Sequence, residues 1–311
     1  MFKNYLRIHP APIQLFIFLT FWCALMLLGL FLQPLYIRYA TGIGADQLQA
    51  FLEKDMYNYP NVIFVSNALF QVFTFLLPAV IYAYLADPQP VKYLGGTAPG
   101  KKIQPFWVVI LAIGLIFFIS PLGTWLKEID LGATSKAIDE QREKMILSYL
   151  SSGNAWTTLR SILLIAIIPA FCEEIFFRGI LMKFAQTIFK KWWLSIIISS
   201  LLFAAFHTTI SEFVPIFLAG IILGSVYYLT SSIWMNILLH LLFNGLQVVL
   251  GMYSNPQMEK SLEQQGTLLG VFGIAAVIVG ACLFMLNKAR TPLPANWSVV
   301  VPEEKELEAE S

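Results

Sequence analysis

Two adjacent glutamates, Glu173 and Glu174, interrupt a run from Ser161 to Met182 that is otherwise apolar enough to enter a bilayer. A carboxylate at membrane depth costs roughly 2.5 kcal/mol or more, so a pair there points to function by default. On a helix, Glu174 and Arg178 are four residues apart and share a face. Glu173 points about 100° away, on the face of Phe177. Glu174 can therefore be neutralised by Arg178, whereas Glu173 has no local cation and is the better candidate for a base that takes a proton from water. The competing reading is a buried ion network that only ties helices together.

Two further polar groups recur in the second half of the chain. Phe203 and His207 lie one helical turn apart, as do His240 and Asn244. An imidazole and an amide on one helix face are two hydrogen-bond donors aimed at one point, which suits stabilisation of a developing oxyanion. Each pair alone could equally be interhelical glue. Gly220 and Gly224 form a small-xxx-small face, whose reading is close helix packing.

The elements that must position these groups are membrane helices. Of 311 residues, 58% are hydrophobic and 13% charged, and the mean hydropathy is +0.70, outside the range of a soluble domain. A crossing needs about 20 mostly apolar residues. Runs of that kind predict an all-α bundle of about eight spans, at 11–37, 56–86, 103–126, 161–182, 192–211, 213–229, 233–253 and 264–287, with the site buried among the fourth, fifth and seventh. The first run is too long for a signal peptide and lacks a small-residue cleavage pattern, so it is expected to remain as a span.

Lys3, Arg7, Lys92, Lys101, Lys102, Lys183, Lys190, Lys191, Lys288 and Arg290 all fall on one side of an eight-span arrangement, which predicts both termini in the cytoplasm. The charged stretch 131–158 is expected to be extramembrane, with Ile138, Met145, Ile146 and Tyr149 able to share one face of an interfacial helix or lid. Residues 288–311 read as a disordered acidic tail. Net charge is +1 with no basic patch, so nucleic acid is not an expected partner. Cys23, Cys172 and Cys282 all lie in expected spans and read as buried small residues, not as a disulfide framework.

Taken together, Glu173-Glu174-xxx-Arg178, Phe203-xxx-His207 and His240-xxx-Asn244 resemble, in order and spacing, the CAAX protease and bacteriocin-processing (CPBP, Abi) family, which includes the type II CAAX prenyl endopeptidases. The resemblance covers about residues 155–250, which it marks as a peptidase core of spans four to seven. Residues 1–130 hold three spans with no assignable pattern, and 264–287 form the last span. The resemblance implies an intramembrane endopeptidase that cuts a membrane-associated protein or peptide, lipidated near its C-terminus in prenylating hosts. In it Glu173 and His207 would activate water, His240 and Asn244 would hold the oxyanion, and Glu174 and Arg178 would support the site. No cofactor is then expected. A metallopeptidase with zinc on Glu173, His207 and His240 is the alternative chemistry, although no His-Glu-x-x-His is present. The expected location is the plasma (inner) membrane of a prokaryote. Two other classes stand beside this one: a noncatalytic binding or immunity protein of the same fold, and a proton-coupled transporter, which the clustering of polar residues at one point disfavours.

Overall fold

A computed structural model describes residues 6–150, 155–207, 210–253, 265–294, 297 and 299, and these residues form helices without a strand. The long elements are α1 (Ala11–Thr41), α2 (Pro60–Ala86), α3 (Gln104–Lys127), α4 (Ala133–Leu150), α5 (155–189), α6 (Trp192–Ala205), α7 (Phe213–Thr230), α8 (Ile233–Tyr253) and α9 (Gln265–Lys288). All but α4 coincide with expected spans, and the chain is an all-α, polytopic integral membrane protein. Six of the helices, α1, α2, α3, α7, α8 and α9, are long and apolar enough to cross a bilayer.

The two that fall short, α5 and α6, carry site residues. α5 is broken by two π-helical turns, Ile162–Ile167 and Phe177–Leu181. The first lies just ahead of Pro169, as another in α2, Val72–Leu76, lies just ahead of Pro78. A proline supplies no N–H and its ring crowds the preceding turn, and a local widening of the helix relieves both. α6 was expected to reach Ser211 but stops at Ala205. There Phe206 N–H bonds to the Leu202 carbonyl and His207 N–H to the Ala204 carbonyl, so the last turn tightens and His207 sits beyond the helix. At about 1.5 Å per residue α6 is ~21 Å long.

Neighbouring rods are antiparallel, and named contacts fix their directions. Gln33 bonds to Ser66 and Tyr82 to Gln14 across α1 and α2; Gln104 near the start of α3 bonds to Ala289 just past α9; Asn244 late in α8 bonds to Ile165 early in α5. One face of the bundle thus holds the start of α1 and the end of α9. The other holds α4.

The core has two parts. Phe18, Phe75, Tyr82, Phe176, Phe177 and Phe184 join α1, α2 and α5 in an aromatic cluster. Leu111, Leu115, Leu223, Val226, Leu239 and Leu286 join α3, α7, α8 and α9 in an aliphatic one. Burial of this apolar surface within the bundle fixes how α5 faces α8, because each long rod must match side chains with several neighbours at once. Cys172 and Cys282 are buried as expected, but Cys23 is exposed, on a helix whose apolar surface is the lipid-facing kind.

Within the stretch 131–158, read as an interfacial helix or lid with a connecting loop as the alternative, residues Ala133–Leu150 are helical. This helix starts behind Asp130, whose carboxyl accepts from Gly132 N–H and Lys136 and is held below the ordinary carboxylate range by those two donors. The beginning of the expected disordered tail is docked instead. Thr291 N–H bonds to the Leu229 carbonyl, Trp297 Nε1 donates to the Tyr227 hydroxyl, and Val299 is fully buried. The acidic residues from 303 onward lie outside the described residues.

Candidate active site

Glu174, like Arg178, has no exposed surface. Its Oε1 accepts from Arg178 Nη1 at 2.8 Å and from His240 Nδ1 at 2.9 Å, and its Oε2 accepts from Asn236 Nδ2 at 3.1 Å. Arg178 also donates to the Gly220 carbonyl at 3.0 Å, and its guanidinium carbon lies 4.7 Å from the Phe203 ring centre. These contacts explain the spacing of the motifs. The i to i+4 pair Glu174–Arg178 clamps α5 to α7 through Gly220, where a Cβ would come within 3.0 Å of Ser200 Cβ on α6. Fully desolvated charges need close partners, and each helix from α5 to α8 supplies one here, while Arg178 Nε is buried without a hydrogen-bond partner among the described residues.

Because Glu174 is a carboxylate, the His240 nitrogen facing it, Nδ1, carries a proton. His240 Nε2 then points toward Glu173, 4.0 Å from Oε2. That separation is too long for a direct hydrogen bond and short enough for one water to contact both groups.

Glu173 shares none of its neighbour's hydrogen-bond donors. Its Oε1 accepts from Gln71 Nε2 at 2.9 Å, across from α2. Its Oε2 is buried and has no hydrogen-bond partner among the described residues. His207 Nδ1 is 2.8 Å from the Phe203 carbonyl, which can only accept, so the proton sits on Nδ1 and Nε2 is the acceptor. Glu173, His240 and Arg142 all lie within electrostatic reach of the His207 ring. Asn244 commits one amide N–H to the Ile165 carbonyl at 3.0 Å. That carbonyl lacks its ordinary i+4 donor because residue 169 is proline.

Glu173, His207, His240 and Asn244 all line one cavity of about 930 Å³. Its mouth is bordered by α4 through Ile138, Arg142, Met145 and Ile146, three of them on the apolar face expected from the sequence. Arg142 pairs with Glu212 just ahead of α7, which ties α4 to the rim. Glu174 and Arg178 lie behind this wall.

For the zinc alternative, no three His, Cys, Asp or Glu side chains converge as a metal set would among the described residues, although Nδ1 of both histidines is engaged, by Glu174 and by the Phe203 carbonyl, the pattern of supporting hydrogen bonds that leaves Nε2 to a ligand.

Two residues of the constellation are absent from the motif reading. Asn236 extends His240 and Asn244 into a stripe at i, i+4 and i+8, a spacing visible in the sequence. Gln71 lies in the first 130 residues, and its only signal is an amide one helical turn after Asn67 in an otherwise mostly apolar run.

Residues 155–246 match the family described as type II CAAX prenyl endopeptidase Rce1-like. No curated protein and no solved structure matches the chain. The match covers the region of the three motifs and supports a CAAX-type membrane protease in general terms.

Proposed function

We propose that this protein, whose residues 155–246 match the CAAX-type endopeptidase family model, is an intramembrane endopeptidase that hydrolyses a peptide bond in a membrane-associated protein or peptide, with Glu173 as the base. The observation that carries the reading is the buried Oε2 of Glu173, which lines the cavity with no protein donor assigned to it among the described residues. A buried carboxylate oxygen facing a cavity is costly unless it meets a proton donor, and water is the donor a hydrolase supplies.

In this reading a water contacts Glu173 Oε2 and His207 Nε2. Glu173 takes a proton as the water oxygen bonds to the substrate carbonyl carbon. The resulting oxyanion is met by His240, which donates from Nε2 when both nitrogens are protonated, and by the second amide N–H of Asn244. The C–N bond then breaks, and the leaving amine receives the proton held on Glu173. Glu174 fixes His240 and is itself held by Arg178 and Asn236. In this reading the protein sits in the plasma (inner) membrane of a prokaryote, and the lysine and arginine distribution favours both termini in the cytoplasm.

The test is cleavage of candidate membrane peptides by detergent-purified protein. Glu173→Gln is expected to abolish turnover and His207→Ala to reduce it strongly. Unchanged turnover in Glu173→Gln would overturn the assignment and leave a noncatalytic binding protein as the better account.

A further inference from the structure

The cavity runs from one face of the bundle to about its middle, where Glu173, Leu223 and His240 line its inner end. Asn67 lies in the first third of α2, Thr124 in the last turn of α3, Leu164 early in α5, Pro215 in the first turn of α7 and Gly251 in the last turn of α8. With the helix directions fixed by the contacts above, each of these positions belongs to the face that carries α4. His207, just past the end of α6, belongs there too. Toward the opposite face the same helices are filled by the aromatic cluster of Phe18, Tyr82, Phe176 and Phe184, and behind it Lys183 is buried against Tyr93. Among the described residues, the cavity opens Glu173 toward the α4 face.

The two faces differ in charge. On the face of the termini, segments 87–103, 190–191 and 288–290 carry seven lysines and arginines and one carboxylate, Asp87, which is paired with Arg7 at 2.7 Å. On the α4 face, segments 42–59, 128–154 and 206–212 carry nine carboxylates and four lysines and arginines in more than twice the length. Cationic residues are retained on the cytoplasmic side, and the bias is read from short loops near helix ends. The cation-rich short loops mark the cytoplasmic face, and the cavity opens away from it.

Resting on the peptidase reading for its substrate, we infer that the site is reached from the extracytoplasmic side, so that its substrate is an exported peptide or the membrane-proximal segment of a protein anchored in the outer leaflet. A lipidated tail in the cytoplasm would have to cross the bilayer to meet Glu173. The lining suits such a ligand: Ile138, Met145 and Ile146 offer apolar side chains, and the Arg142–Glu212 pair lines the cavity beside them.

Access and catalysis can be tested separately with the full chain. In a background of Cys23→Ser, Cys172→Ala and Cys282→Ala, single cysteines at Thr124→Cys and Gln141→Cys should react with a membrane-impermeant maleimide in intact cells, and Lys102→Cys only after permeabilisation. The reverse pattern overturns the inference. Should the cysteine-free background fail to accumulate, reporter proteins inserted after Gly132 and after Lys102 in the native chain give the same decision, since one reporter class works only when exported and the other only in the cytoplasm. Right-side-out and inside-out vesicles then receive an impermeant fluorogenic apolar peptide. Cleavage from the α4 face alone supports the inference, and cleavage from the face of the termini alone overturns it. Absence of cleavage from either face refutes the peptidase reading, while the labelling still decides the side of access.

Discussion

Gln71→Leu isolates the contribution of the N-terminal helices to the site. Gln71 Nε2 donates to Glu173 Oε1 at 2.9 Å, and this is the contact that holds the proposed base from α2. A hydrogen bond to a charged group contributes about 1.5–3 kcal/mol, which corresponds to roughly ten- to a hundred-and-fifty-fold in rate when the interaction is needed in the transition state. Interhelical hydrogen bonds in membranes contribute only about 0.6 kcal/mol on average to stability. The variant should therefore lose about ten- to a hundred-and-fifty-fold in kcat with KM nearly unchanged, while its thermal unfolding in detergent shifts little. Steady-state cleavage of a membrane peptide and a melting curve on the same preparation give both quantities. The assignment of Gln71 as a positioning residue is refuted if kcat is unchanged in a preparation whose Glu173→Gln counterpart is inactive. A fall in kcat and in melting temperature together would reduce Gln71 to a packing residue.

Three other outcomes follow from the same contacts. Glu174→Gln leaves Arg178 as a buried cation without its charge partner, and should cost about 3–5 kcal/mol in unfolding free energy; Glu174→Leu combined with Arg178→Met should recover much of it, and a double-mutant cycle by denaturant unfolding in detergent would show additivity if the pair is not coupled. Gly220→Val drives a side chain into Ser200 at the crossing of α6 and α7, where even a Cβ meets 3.0 Å, and should destabilise by about 1–3 kcal/mol, with Gly220→Ala milder; equal melting temperatures for all three would mean that the helices separate freely there. A strong chelator should leave peptide cleavage unchanged, because no three-ligand set is present among the described residues; loss of activity restored by added zinc would install the metallopeptidase mechanism instead.

Much of the fold is legible in the chain because the bilayer imposes a one-dimensional rule: backbone groups must be satisfied within each crossing, so a crossing is an apolar run of stated length. Six such runs appear as long apolar helices. The rule is weakest for α5 and α6, where Pro169 with its π-helical turn and the early stop at Ala205 break the simple length criterion. Local spacing also yields the Glu174–Arg178 pair, since residues four apart on a helix must be neighbours. The docking of Trp297 and Val299 could not be read the same way. A proline-rich stretch after the last helix carries no sign of which groove will receive it.

The amino-acid sequence by itself determined the membrane class, the rods, the side on which cations collect, and the identity of the few polar groups that lipid would not tolerate without cause. Those are consequences of composition and helical period, which are local. Partnership was decided only in three dimensions. His240 could have turned to either glutamate, and packing of α8 on α5 gave its Nδ1 to Glu174. Asn244 could have offered both N–H groups to a ligand, and one went to the carbonyl that Pro169 leaves without its usual donor. Gln71, 102 residues before Glu173 in the chain, became its donor because the aromatic cluster draws α2 against α5. Such contacts depend on how whole helix faces fit together, a property of many side chains at once that no single motif records.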